Sequence, residues 1–312
     1  MQDNVIVIIG PTASGKTEIS INLALKEDAE IVSADSRQIY KYMDIGTAKP
    51  TQEELHTVTH HCINIKDPDE FFNAGMYGKL SRKIVKEILE RKKLPVVVGG
   101  SGLYVRALTD GIFEGAYRNA AIRKKLKSQL NEKGHHELFT RLAEVDPKTA
   151  EKIHPHDSKR IIRALEVYEL SGEPISSLQI RSTKKADFTP HFFGLHWPRN
   201  ILYKRIEQRV DAMMDAGFVA EVEHLLGMGY SPELNSLDSL GYREIIAYLK
   251  GKYDYSTMVE EIKKNTRRFA KKQLTWFRKN SRIKWIDMYK CVDPQEVIDT
   301  ILDYSSFKKI KK

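Results

Sequence analysis

The sequence predicts an α/β fold: a parallel sheet flanked by helices, with a helical insertion. Three observations predict it. Apolar, β-branched runs alternate with helical patterns along the N-terminal third, "GPTASGKT" (residues 10–17) joins the first run to the first helix, and residues 114–190 turn short, charged and helical. A chain of 312 residues exceeds the usual single domain, which fits a core of residues 1–113 and 191–312 interrupted by that insertion.

"NVIVIIG" (4–10) reads as a buried parallel strand ending in Gly10, and a helix should follow from Gly15. "AEIVSAD" (29–35) is a second strand, ending in a carboxylate, and "LPVVVGGSG" (94–102) is a third, preceded by the helical "GKLSRKIVKEILERKK" (78–93). In the insertion, Pro147 stands after Asp146 where a first-turn proline belongs, Asp157 is a candidate N-cap and Gly172 a candidate C-cap. "HFFGLHW" (191–197) returns to the sheet, residues 199–229 read as one long amphipathic helix, and "IKWIDM" (283–288) is a last short strand. The tail "FKKIKK" (307–312) reads as a solvated end.

Composition narrows the function. Hydrophobic residues at 41% and charged residues at 30% describe a globular protein, and no run approaches the roughly 20 apolar residues of a membrane span. The N-terminus enters a strand-like run with no secretory pattern, so the cytoplasm is expected. Cys62 and Cys291 are the only cysteines, which argues against a disulfide framework or a cysteine-rich zinc site, and His60, His61 and Cys62 alone make a poor metal site. Net charge is +9, and residues 260–284 hold ten Lys or Arg against two Glu, a distribution suited to a polyanionic partner. Oligomeric state is unreadable from the sequence; a monomer is the working expectation.

"GPTASGKT" fits G-x-x-x-x-G-K-[ST] at Gly10, Gly15, Lys16 and Thr17, between a strand and a helix as the mechanism requires. Backbone N–H groups of the loop and the helix N-terminus face phosphate oxygens, Lys16 neutralises charge, and the Thr17 hydroxyl suits Mg²⁺. The core is therefore P-loop NTPase-like. A kinase or nucleotide hydrolase would usually place an acid at the end of a later strand to hold the metal. Here "PVVVGGSG" ends in glycines and Ser101, while the carboxylate ends an earlier strand, at Asp35. Asp35 could be a helix cap or an outer partner of Mg²⁺. The carboxyl ends of parallel strands face the ligand crevice, however, which brings Asp35 and Ser101 towards the phosphates.

Together with that loop, "SADSRQIYKYMDIGTAKP" (33–50), "HHCINIKDP" (60–68), "VVVGGSGLY" (96–104), "DSKRIIRALEVYELSG" (157–172), "KRIEQRVDAMMDAGFVAEVEHLL" (204–226) and "SLGYREI" (239–245) closely resemble the bacterial-type tRNA dimethylallyltransferases, or tRNA isopentenyltransferases, over nearly the whole chain. The second motif is far more specific than the phosphate loop. The resemblance implies transfer of a dimethylallyl group from dimethylallyl diphosphate to the exocyclic amine of the tRNA adenosine 3′ of the anticodon, with Mg²⁺ as cofactor.

It also implies roles for residues. Gly10, Pro11, Thr12, Ala13, Ser14, Gly15, Lys16 and Thr17 would cradle the diphosphate, with Thr17 on the metal. Asp35 would accept a hydrogen from adenine's poorly nucleophilic amine, enriching its lone pair during attack. Arg209 matches the family's diphosphate-contacting arginine, and Arg243 lies in a second motif; a solvated arginine is the alternative for either. Ser101 stands where the family usually has Thr, keeping the hydroxyl without the methyl that would constrain it. The anticodon stem-loop would be contacted by Asp35, Ser36, Arg37, Gln38 and Ser101, by Lys159, Arg160, Ile161, Ile162 and Arg163, and by Arg123. An adenylate isopentenyltransferase, a phosphate-loop small-molecule kinase and a non-catalytic RNA-binding protein are the competing readings.

The basic segment adds a separate expectation. Positions 259, 262, 266, 269, 273 or 274, and 276 recur at three and four residues, predicting a buried stripe that includes Phe269 and Trp276. The faces carrying Lys263, Arg267 and Lys271, and Lys264, Arg268 and Lys272, would be left for phosphates.

Overall fold

The computed structural model describes residues 3–113, 117–291 and 293–303. The tail at 307–312 lies outside the described residues. Six strands form one parallel sheet: β1 (Asn4–Ile9), β2 (Ala29–Ser33), β3 (His60–His61), β4 (Leu94–Gly99), β5 (Thr189–His196) and β6 (Lys284–Asp287), in the order β3-β2-β4-β1-β5-β6. Alternate residues of β1 point to opposite faces. Every one of them from Val5 to Ile9 is buried, so both faces of the sheet are covered.

Helices α1 (Lys16–Glu27), α2 (Gln52–Thr57), α3 (Ala74–Glu90) and α4 (Gly102–Thr109) connect or follow the first four strands. Then come α5 (Ala120–Val145), α6 (Pro147–Ala150), α7 (Ser158–Ser171) and α8 (Ile175–Ser182), and after β5, α9 (Arg199–Asp215), α10 (Phe218–Gly227), α11 (Tyr242–Leu249), α12 (Tyr255–Phe277) and α13 (Pro294–Leu302). One apolar core joins Ile6, Ile8, Ile31, Val96 and Phe193 of the sheet to Ile19 and Leu23 of α1 and Ile298 of α13. No described helix is long and apolar enough to cross a membrane.

The chain divides into two compact units, one running to Thr109 and resuming at Ala186, the other spanning Asp110–Lys185. Both limits fall a few residues before the 114 and 190 expected from composition. The Ala186 N–H donates to the Thr109 carbonyl at 2.9 Å, so the chain is already tied to the end of α4 when it returns.

The helical unit has its own core of Leu126, Leu138, Leu142, Ile161, Leu165 and Leu178. Gly134, at φ 79°, ψ 177°, breaks α5 into two helices across a kink. Asp146 caps α6 by accepting from Thr149 N, with Pro147 in the first turn, and Asp157 caps α7 by accepting from Arg160 N. Glu166, fully buried on α7, accepts from Arg123 at 2.6 Å, Arg163 at 3.0 Å and the Asn119 N–H at 3.1 Å.

Two readings of helices need correction. Residues 199–229 do not form one helix: Gly217, at φ 93°, stands between α9 and α10 in the left-handed region that a glycine enters without strain. The buried stripe of α12 is also displaced. It runs Met258, Ile262, Thr266, Ala270, Gln273 and Phe277, leaving Phe269 43% and Trp276 39% exposed. Ala270 packs with Ala13, Leu202 and Ile206, a close helix approach that a larger ring would prevent.

Burial alone would raise the Glu166 carboxyl, but its bonds to Arg123, Asn119 N–H and Arg163 hold it below the ordinary value of 4.5. Its stabilisation is therefore complete above that value and is lost as pH falls through the lower folded one. Glu166→Gln should cost roughly 2 kcal/mol in urea denaturation at neutral pH. The difference from the parent protein should shrink on acidification below the ordinary value.

Candidate active site

Neighbouring strands β2, β4 and β1 run parallel and end together, with Ser33 beside Val98 and Ile9 beside Gly99. Three loops consequently leave one sheet edge side by side: the phosphate loop after β1, Asp35 after β2, and Gly100 with Ser101 after β4. All three line a cavity of about 500 Å³ with Lys16 and Thr17; Arg209 and Met213 of α9, residues 238–243 and one side of α12 complete it.

The phosphate loop is held from several sides. Gly15 caps α1 in a left-handed conformation without a side-chain bond. Ala13 O accepts from Arg205 Nε at 2.9 Å and Ser14 O from Trp197 Nε1 at 3.1 Å, while the Arg205 guanidinium lies 4.5 Å from the Trp197 ring centroid. Thr12 N–H donates to Gln273 Oε1 at 2.9 Å, so this loop amide is committed within the protein. Among the described residues the buried Ser14 hydroxyl has no hydrogen-bond partner.

Lys16 Nζ folds back onto Pro11 O at 2.7 Å. Desolvation, reinforced by the charge of Arg209 and opposed by Asp35, brings its pKa down to about 7. Burial likewise lowers Arg209, again opposed by Asp35. Two basic groups and one carboxylate thus share a poorly solvated space, and an incoming polyanion would favour the charged form of Lys16.

Asp35 does not start a helix. Its Oδ1 accepts from Arg37 N at 2.8 Å, closing a short side-chain turn, which overturns the helix-cap alternative. Ser101 bonds Ser36 twice, its Oγ accepting from Ser36 N at 3.0 Å and donating to Ser36 Oγ at 3.3 Å. Those bonds orient the hydroxyl in the absence of a methyl. The flanking glycines permit close approach: a Cβ on Gly100 would sit 2.3 Å from Gln273 Nε2, and one on Gly102 would sit 2.1 Å from Trp276 Cδ1.

Other expected contacts are placed differently. Arg243 lines the cavity but gives its Nε to Glu244 at 2.9 Å. Arg37 donates to Asn235 O at 2.6 Å, and the Gln38 amide is consumed between Ser33 Oγ and the Thr47 and Ala48 carbonyls. In the helical unit, Ile161 and Ile162 are buried in its core, so their side chains are not available to RNA. Arg123 and Arg163 serve Glu166, and Lys159 and Arg160 remain exposed at the start of α7. On α12, Lys263 pairs with Asp211, Lys264 with Glu261 and Arg267 with Glu207. Among the described residues no carboxylate pairs with Arg268, Lys271 or Lys272, so the basic flank is narrower than the charge pattern suggested.

Three features escaped the sequence reading. Glu221 of α10 accepts from the N–H groups of Asp44, Ile45 and Gly46 at 2.8, 2.6 and 3.1 Å and from Tyr242 OH at 2.6 Å, clamping the "DIGTAKP" stretch. Gln273 reaches two loops at once. A second cavity of about 390 Å³, lined by Tyr40, Phe72, Tyr104, Phe269 and Trp276, shares Ser36, Gly100 and Ser101 with the first. A glutamate amid apolar helix positions and three glycines around one serine were the available signals.

Among the described residues no group of three His, Cys, Asp or Glu is placed to hold a metal; His61 instead bonds Glu30 at 2.7 Å. The arrangement sets Lys16, Thr17 and Arg209, groups suited to a phosphate chain, around one cavity with a carboxylate. Lys16→Ala should weaken inorganic pyrophosphate at least tenfold, about 1.4 kcal/mol by affinity arithmetic, in calorimetric titration. Retained affinity would contradict this site assignment.

Comparison with known proteins agrees with this fold. The chain is 46% identical over 300 residues to a tRNA dimethylallyltransferase of Desulforudis audaxviator, covering 95% of this chain and 97% of that one. The crystal structure of full-length tRNA isopentenylpyrophosphate transferase from Bacillus halodurans superposes with a TM-score of 0.74 at 37% identity, over 99% of this chain and 98% of that one. A eukaryotic dimethylallyltransferase acting on tRNA gives 0.82 at 27% identity, over 99% of this chain and 81% of that one. The model of the IPP transferase family matches residues 38–280, which take in Ser101, Arg209, Arg243 and Gln273, and to that family this chain belongs.

Proposed function

We propose that the protein transfers a dimethylallyl group from dimethylallyl diphosphate to the exocyclic amine of the adenosine 3′-adjacent to the anticodon in tRNA, releasing diphosphate, as a cytoplasmic monomer. One observation carries the reading most. Asp35 shares a cavity with Lys16, Thr17 and Arg209, and β4 ends in Gly99 and is followed by Gly100 and Ser101 where a kinase would need an acid.

Asp35 accepts a hydrogen from the amine and aligns its lone pair on the allylic carbon. Negative charge then builds on the departing diphosphate, which Lys16, Arg209 and backbone amides of the phosphate loop other than that of Thr12 stabilise more strongly than in the ground state. Thr17 is the residue that would hold Mg²⁺. One hydroxyl with no carboxylate cage suits an ion bound largely through substrate phosphates, and when bound it adds Lewis-acid neutralisation of the diphosphate. On the RNA side, exposed Lys159 and Arg160 supply phosphate contacts, while Ile161 and Ile162 serve the core behind them.

Incubation with dimethylallyl diphosphate, Mg²⁺ and unmodified tRNA, followed by mass analysis of nucleosides, should yield dimethylallyl-adenosine. Product from free AMP alone, or phosphate transfer from ATP in its place, would favour the adenylate or kinase reading. Asp35→Ala should lower turnover by roughly 10²-fold or more while tRNA binding persists; equal loss of both would make Asp35 a binding residue. Affinity for tRNA should fall steeply with salt. The doubly substituted Lys159→Ala, Arg160→Ala protein should show a log–log slope reduced by about 2.

A further inference from the structure

We infer that Gln273 is a positioning residue that sets the distance between the phosphate loop and the Asp35 loop through its single side-chain amide. This rests on the proposed transfer reaction. Gln273 lies on the buried stripe of α12, is 8% exposed, and lines both cavities. Its Oε1 accepts from Thr12 N at 2.9 Å and its Nε2 donates to Gly100 O at 3.0 Å.

The contact continues through the next residue. Ser101 follows Gly100, its N–H donates to Ala34 O at 3.2 Å, and its Oγ holds Ser36 N at 3.0 Å, one residue beyond each side of Asp35. A short path of hydrogen bonds thus joins the loop that would take the leaving group to the loop that carries the carboxylate. The reacting carbon must lie roughly 3–3.5 Å from its nucleophile, and an ångström of drift costs about 10²-fold in rate.

The amide provides a donor and an acceptor in one plane at this reach. Asparagine is a methylene short, and leucine leaves Thr12 N–H and Gly100 O without their partner. An ionised glutamate turns a second acceptor towards Gly100 O. A protonated glutamate, however, matches the amide, with its hydroxyl donating and its carbonyl accepting. Burial and the charge of Asp35 raise a carboxyl pKa here, while Lys16, Arg209, Arg268 and Lys272 around the same cavity lower it, and Gln273→Glu should pass from the ionised to the protonated form as pH falls.

The test compares wild type, Gln273→Glu and Gln273→Leu in dimethylallyl transfer to an anticodon stem-loop RNA between roughly pH 6 and pH 9, with calorimetric titration of inorganic pyrophosphate alongside. Gln273→Leu should lose about 10²-fold in kcat at every pH, with KM for RNA unchanged, and should bind pyrophosphate several-fold more weakly. The ratio of Gln273→Glu to wild-type kcat should rise at least tenfold as pH falls, a recovery that a packing role would not produce. A flat ratio, or wild-type kcat in Gln273→Leu, overturns the inference. The isosteric Gln273→Glu decides alone if the leucine variant does not fold. Wild-type protein that transfers no dimethylallyl group overturns the reaction reading instead; pyrophosphate affinity equal in wild type and Gln273→Leu then overturns the tether as well.

Discussion

Parallel strand direction is the constraint on which the site depends. Because β2, β4 and β1 are neighbours and point the same way, their carboxyl ends leave the sheet at one edge, spaced by about 4.8 Å per strand. The phosphate loop and Asp35 are therefore two strands apart, with Gly100 and Ser101 between them. Hydrogen-bond register decides this, before any side chain at the site makes a contact. A chemistry needing a phosphate grip and a carboxylate at moderate separation suits an edge of this kind.

What the sheet edge leaves loose, side chains from distant elements secure. Residues 36–49 contain no regular element, yet their polar groups are met: Glu221 takes three consecutive N–H groups, Lys49 Nζ reaches Tyr40 O, Asp44 and Asn64, and Gln38 closes on Thr47 and Ala48. This explains a long motif that no phosphate site by itself demands. An irregular segment stays fixed only when its backbone groups find partners. Here several residues of the motif serve the loop's own geometry. Gln38 and Arg37, expected at the RNA, are examples: the amide of the first is bonded inside the loop, and the second donates to the main chain at Asn235.

Sequence pattern and folded packing part most plainly on α12. Stripes at 259, 262, 266, 269, 273 or 274, 276 and at 258, 262, 266, 270, 273, 277 both satisfy three-and-four spacing, and the first holds two rings, Phe269 and Trp276, against Phe277 alone in the second. Periodicity weighted by size selects it. The fold buries the second, because Ala270 allows close approach to Ala13 and Leu202, and because Gln273 has hydrogen bonds to make inside. Phe269 and Trp276 are thereby released to line cavities.

By itself, the sequence determined the parallel α/β core, the phosphate loop, the helical insertion with its first-turn Pro147 and its caps at Asp157 and Gly172, and the pairing of Asp35 with Lys16 as candidate site groups. Each of these follows from local signals: apolar periodicity, glycine and proline placement, and residue type at a strand end. The tertiary structure alone decided which polar side chains line the cavity and which hold the protein together. Arg123 and Arg163 went to Glu166, Ile161 and Ile162 to a core, and Gln273 to the space between two loops. Hydrogen-bond partners far apart in the chain carry no local signature, since a buried donor is satisfied by whichever acceptor the fold brings within about 3 Å.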